Sequence, residues 1–268
     1  MGIEELRQRL SRLTGKPLST GRELVNAAVP STSGRASGER LAPHPKDPEV
    51  SRPGGIGREF SSESLKGRTE LVEAGGSGCL CVKTVYPSDL VHGRLPVSRL
   101  DWLTPEVVST LASCSGPVVF LDTETTGLSG GAGTFAFLVG LGEVSDGAFI
   151  VTQYLMRDLP DEPAVLQSVT RFLETHPVLV TFNGRSFDWP LLLGRYRLNG
   201  LAPAVPPAHF DALPLSRRLF RQALGSVRLI RLEEALLGYW RHDDLESALI
   251  PEAYFRYYAD HRIMRSSR

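Results

Sequence analysis

Asp122 and Glu124 stand two residues apart at the end of an apolar run, Pro117-Val-Val-Phe-Leu-Asp122. If that run is a strand, the period of two puts both side chains on one face. Two carboxylates so close repel each other and resist joint ionisation. Such a pair costs stability unless a cation holds it. Hard cations such as Mg²⁺ or Mn²⁺ take oxygen ligands, often one or two carboxylates completed by a substrate phosphate. Phosphodiester hydrolysis suits two such ions about 4 Å apart, one on the attacking water and one on the leaving oxygen. Taken alone, Asp-x-Glu also describes an ordinary solvated strand end. A third carboxylate closes Leu179-Val-Thr-Phe-Asn-Gly-Arg-Ser-Phe-Asp188, where a strand runs through an Asn-Gly turn and Asp188 opens a helix. Asp188 can act there as an N-cap, worth about 1 kcal/mol, or aim across the sheet at Asp122 and Glu124.

The elements that must position these acids read as follows. Pro117–Asp122 is a buried strand. Thr134–Gly142 and Ala148–Leu155 are two more, joined through Asp146-Gly147, a strong hairpin signal. Asp161–Thr175 is a helix with Leu166, Val169 and Leu173 on one face. Val178–Phe182 is a fourth strand, Asp188–Leu198 a helix with Pro190 in its first turn, and His209–Asp211 a short fifth strand. Helices follow near 213–223 and 229–238. Upstream, Leu80–Tyr86 alternates like a strand, and Thr104 caps a helix that starts at Pro105. Residues 3–14 form a short amphipathic helix. Residues 17–67 are rich in Gly, Ser, Pro and Arg and are expected to be disordered, because they cannot bury enough surface to offset their ordering entropy. The expected division is therefore 1–67, a helix and disordered extension; 68–115, a partly ordered lead-in; and 116–268, one α/β domain with three antiparallel strands followed by parallel ones, flanked by helices.

Phe120-Leu-Asp-Thr-Glu-Thr-Thr-Gly-Leu128 resembles the first motif of the DEDD exonucleases, and the segment ending at Asp188 resembles the second. The likeness narrows further. Asp122–Gly142, Val180–Leu193, His209–Leu219, Leu232–Gly238 and Ile250–Phe255 together resemble the YprB-type RNase H-like domain over about residues 85–258. That resemblance implies an RNase H-like fold and a two-metal 3′–5′ exonuclease site acting on nucleic-acid ends with Mg²⁺ or Mn²⁺. Asp122, Glu124 and Asp188 are its catalytic residues and metal ligands, and Asp211 is structural. The same motifs offer Thr125, Thr126, Gly127, Asn183, Arg185 and Phe187 as substrate-binding residues.

The resemblance also predicts a last motif, a His-Asn segment followed shortly by Asp, on a helix beyond Tyr254-Phe255. No such segment follows here, and Asp260 lies too near Tyr254 for that place. The Pro-Gly expected after Asp243-Asp244 is replaced by Leu-Glu-Ser. The expectation is a chain short of its fourth carboxylate that binds Mg²⁺ or Mn²⁺ weakly and cleaves ends poorly. Its alternatives are a non-catalytic nucleic-acid-binding protein, or a remnant that does not fold stably without its terminal helix.

Other features limit the function classes. With 30 basic and 30 acidic residues, no global field attracts nucleic acid. Arg185–Leu232, however, holds eight arginines against two aspartates, which is either a local phosphate-binding surface or a set of scattered solvated side chains. Three cysteines, two of them at Cys79 and Cys81, suit neither a zinc site nor a disulfide framework. They read as reduced thiols of a cytoplasmic protein. No apolar run is long enough to span a membrane. Gly127–Gly133 lacks the Lys-Ser/Thr of a P-loop, and a strand rather than a helix follows it, so it is no dinucleotide fingerprint. Phe182, Phe187 and Trp189 could stack on bases or pack in the core. No nucleophilic triad is placed by the sequence.

Overall fold

The computed structural model describes residues 68–74, 76–127, 133–203, 205–206, 208–241 and 249–266, with side chains to residue 259 in the last segment. The expected helix at 3–14, the stretch 17–67, Asp243-Asp244 and most of the Gly127–Gly133 loop lie outside the described residues.

Seven strands form one sheet: β1 (Arg68–Ala74), β2 (Ser77–Tyr86), β5 (Val118–Thr125), β6 (Ala136–Ser145), β7 (Ala148–Leu155), β8 (Val178–Thr181) and β9 (Ala208–Asp211). A separate ribbon pairs β3 (Val91–His92) with β4 (Leu95–Pro96). The sheet order is β1-β2-β7-β6-β5-β8-β9. Neighbours from β1 to β5 are antiparallel, and β8 and β9 run parallel to β5. The three antiparallel strands and the parallel pair stand as the sequence predicts. The lead-in region adds β1 and β2 to the same sheet, and β1 was not among the predicted strands. Asp146 and Gly147 take φ of 51° and 73°, the left-handed pair that a two-residue hairpin turn requires.

The helices are α1 (Pro105–Ala112), α2 (Glu162–Thr175), α3 (Asp188–Leu198), α4 (Ala212–Leu224), α5 (Leu229–Leu232) and α6 (Ile250–Ser266). The helix predicted at 229–238 is divided, because a π-turn over Glu233–Leu237 follows α5 and ends at Gly238. α6 continues through Asp260 in one helix with Tyr254. On one face of the sheet, Val119, Leu121, Val139, Leu141 and Leu179 form the main core with Val165, Leu166 and Val169 of α2 and Leu192 and Tyr196 of α3. Tyr254 joins them, stacked on Phe137 at 4.1 Å. On the other face, α1 packs Val108 against Val178 and Ala208.

A buried ion pair joins the two helices that carry the main core. Arg195 grips Glu162 with Nε–Oε1 at 2.6 Å and Nη2–Oε2 at 2.7 Å, and Asn199 Nδ2 donates to the same Oε2 at 2.7 Å. Removing one partner leaves the other charged and buried, so Glu162→Ala is expected to lose about 3 kcal/mol in urea unfolding. A loss below about 0.5 kcal/mol would show the pair to be screened by solvent.

Candidate active site

β5 delivers Asp122, Thr123 and Glu124. Its pairing with β6 sets Leu121 opposite Leu141 and Thr123 opposite Val139, on the face covered by α2 and α3. Asp122 sits opposite Gly140 and Glu124 opposite Leu138, both on the other face. The two acids therefore share a face, as the period of two requires. Gly140 matters here because a Cβ at that position would meet no atom nearer than the Asp122 carbonyl oxygen, 3.8 Å away. Space remains beside Asp122. The register shifts directly after Glu124, and the chain turns off toward Thr126.

Asp188 arrives from the helix-covered side. After β8, Asn183 takes a φ of 70°, a left-handed conformation that Asn tolerates better than most residues. At Gly184 a Cβ would lie 2.6 Å from the Cβ of Thr181, so only glycine fits. Asp211 pins this turn: its Oδ1 accepts the amides of Asn183 at 2.8 Å and Leu213 at 3.0 Å, and its Oδ2 accepts that of Arg185 at 3.1 Å. It also caps α4, which is the structural role expected for it. Asp188 is not the N-cap of α3. That place belongs to Phe187, whose side chain makes no cap bond. The Asp188 carboxylate instead accepts a short hydrogen bond from Thr123 Oγ1 at 2.5 Å.

Burial raises the pKa of Asp122, and the nearby charge of Asp188 raises it further, against the lowering pull of the Thr123 amide and Arg241. Asp122 is nonetheless an exposed residue, so this burial is partial. Burial likewise raises Asp188, opposed by the Thr123 hydroxyl and the amides of residues 188 and 123. Asp188 thus meets β5 on the Thr123 side, the face opposite Asp122 and Glu124, so the expected aim at those two acids is not what the structure shows. Asp188 is near enough to Asp122 for its charge to be felt. Among the described residues, no three Asp, Glu, His or Cys side chains gather closely enough to hold a metal ion together.

The remaining predicted residues fall around this pair. Thr125 Oγ1 donates to the Gly127 carbonyl at 3.1 Å, and Thr126 exchanges hydrogen bonds with Phe135 across the mouth of the glycine loop. Arg185 turns back to donate to the His209 carbonyl. Phe187 is 60% exposed at the start of α3, whereas Phe182 packs against Leu213, Val227 and Leu232. Of the eight arginines in the basic stretch, Arg185, Arg195 and Arg231 are engaged within the fold. Thr123 and Arg241 were missed in the sequence. Thr123 carries a signal only in retrospect, as the hydroxyl between two acids on the opposite strand face. Cys79 and Cys81 are buried, and burial pushes Cys81 up to about 11, so it stays a protonated thiol.

A family model described as RNase_H superfamily matches residues 119–266. Over 189 residues the chain is 34% identical to the uncharacterized protein YprB of Bacillus subtilis (strain 168), a match that covers 67% of this chain and 46% of that protein. The chain spans about half the length of the curated relative it matches.

Proposed function

The chain belongs to the RNase H superfamily, and on that footing we propose that it carries a divalent-metal-dependent nuclease site that works on nucleic-acid ends in the 3′–5′ direction. Nuclease-type action on nucleic acid is what the superfamily supports in general. The observation that supports the finer reading is that Asp122 and Asp188 lie at the end of the same strand, near enough for one charge to act on the other. Two carboxylates near one strand end, both held above their ordinary pKa first by burial and Asp122 also by the charge of Asp188, favour a neutralising cation. The donors are oxygen only, which fits Mg²⁺ or Mn²⁺ rather than a softer ion.

Asp122 and Asp188 hold the cation in this reading, with Glu124 beside Asp122 on the same strand face. The substrate phosphate completes the shell, as hard-cation sites commonly require. When bound, the metal supplies an activated water and neutralises charge on the scissile phosphate. Gly140 leaves room for that phosphate next to Asp122. Thr123 fixes the carboxylate of Asp188 through its hydroxyl. Phe187, exposed at the helix start, offers a ring to the terminal base. The partner is nucleic acid with a single-stranded end, and no described helix is long and apolar enough to cross a membrane.

The test is cleavage of a 5′-labelled single-stranded oligonucleotide with Mn²⁺, Mg²⁺ or EDTA. A metal-dependent ladder shortening from the 3′ end supports the proposal, and tight binding without cleavage in either metal would replace it with a binding function. Thr123 provides a second check as a positioning residue. Thr123→Val should lower cleavage about tenfold by removing a hydrogen bond to a charged group, and Thr123→Ser should restore most of it. Equal loss in both variants would show that packing, not the hydroxyl, matters.

A further inference from the structure

A groove of about 640 Å³ opens on the face of the sheet that carries Asp122. Its floor is Phe120 of β5 with Phe149 and Val151 of β7, and its walls include Tyr86, Trp102 and Tyr239. These rings are accessible: Trp102 is 54% exposed and Tyr86 37%. Arg99 lines the groove, and no carboxylate does. One chain segment leads from it to the acids: Phe120 precedes Asp122 by two residues and shares its strand face.

The rest of the lining is largely aliphatic, with Leu90, Leu95, Val97, Leu100 and Leu237, but exposed rings beside a cationic side chain, with no carboxylate in the lining, suit a ligand of planar bases on an anionic backbone. Single-stranded nucleic acid has that chemistry, since bases stack on aromatic side chains while phosphates meet arginine. A duplex covers its base faces and gains little from such walls. We infer that this groove is the track that holds the single strand on its way to the acids. Trp102 and Tyr86 are its stacking residues, and both come from the lead-in region rather than from residues 119–266. The inference rests on the nuclease reading for where the strand ends, but the stacking itself is measured without cleavage.

The experiment uses the full chain and a fluorescein-labelled thymidine oligonucleotide of roughly ten residues, followed by polarisation in EDTA. Trp102→Ala and Tyr86→Ala should each raise Kd about tenfold, the loss of one stacked base. Trp102→Phe, which keeps a ring, should fall between Trp102→Ala and wild type. The oligonucleotide should also quench tryptophan emission in the wild type, with the quench largely lost in Trp102→Ala. An unchanged Kd in both alanine variants, with folding intact by circular dichroism, overturns the inference and leaves the nuclease reading standing. Trp102-dependent binding by a wild type that cleaves no single-stranded oligonucleotide in Mn²⁺ or Mg²⁺ overturns the nuclease reading and leaves the groove. If Trp102 is shielded from acrylamide before oligonucleotide is added and does not respond to it, protein fills the groove and the inference fails.

Discussion

Asp122→Asn should lower metal-dependent cleavage of a single-stranded end by about a thousandfold, because a metal contributes several kcal/mol of charge stabilisation at the phosphate. The same substitution should make the metal-free protein more stable at neutral pH. Burial and the charge of Asp188 hold the folded-state pKa of Asp122 above its ordinary value. The fold therefore favours the protonated form, and the penalty on the carboxylate is absent below the unfolded pKa of about 4. It grows as pH rises through the window between the unfolded and the raised folded pKa, and it is complete above that window. The gain in Tm from Asp122→Asn should follow the same course in EDTA and vanish toward low pH. Mn²⁺ should raise the Tm of the wild type and leave the variant nearly unmoved, since a ligand stabilises only the state that binds it. Activity and stability then move in opposite directions, a signature that a merely structural carboxylate would not give. Cleavage that survives the substitution would remove Asp122 from the site, and a fall in stability at neutral pH would show that its charge is compensated.

How much of this was legible depended on how local the cause was. The shared face of Asp122 and Glu124 follows from the period of two along one strand, and the Asp146-Gly147 hairpin from the conformations of two residues. Both stand in the structure as expected. β1 was not legible. Its residues Arg68–Ala74 are mostly exposed or half-buried, so its apolar pattern is weak, and what makes it a strand is pairing with β2. Thr123 was not legible for a different reason. Its partner Asp188 lies 65 positions away, on a helix whose approach to the far side of β5 no local pattern reveals. The base-stacking question divided by burial: Phe182 went to the core with Val227 and Leu232, and Phe187 stayed exposed. The basic stretch allowed either a local field or scattered solvated side chains, and Arg195 fits neither, since it is committed to Glu162 inside the fold. The aromatic groove went unread because Tyr86, Trp102, Phe120 and Tyr239 come from four separate segments.

Asp211→Ala should be the most damaging single change near the site, although Asp211 carries no metal in this reading. Its two oxygens accept three backbone amides, two on the turn that leads to Asp188 and one at the start of α4. Alanine leaves all three without their acceptor, and a hydrogen bond to a charged group contributes about 1.5–3 kcal/mol. Some of the amides will find water, so a loss of about 4 kcal/mol in unfolding free energy is expected, measured in EDTA to remove any metal effect. Cleavage should fall about a hundredfold even where the variant remains folded, because a turn displaced by about 1 Å carries Asp188 out of place. Asp211→Asn separates this clamp from a role as metal ligand. The amide oxygen can still accept from Asn183 and Leu213, while the NH₂ group opposes the Arg185 amide. The asparagine variant should therefore lose about 1–2 kcal/mol and keep most of its Mn²⁺ affinity. If Asp211 were instead a metal ligand, asparagine would leave stability in EDTA unchanged and abolish Mn²⁺ binding. That pattern would move Asp211 from the frame of the site into its metal shell.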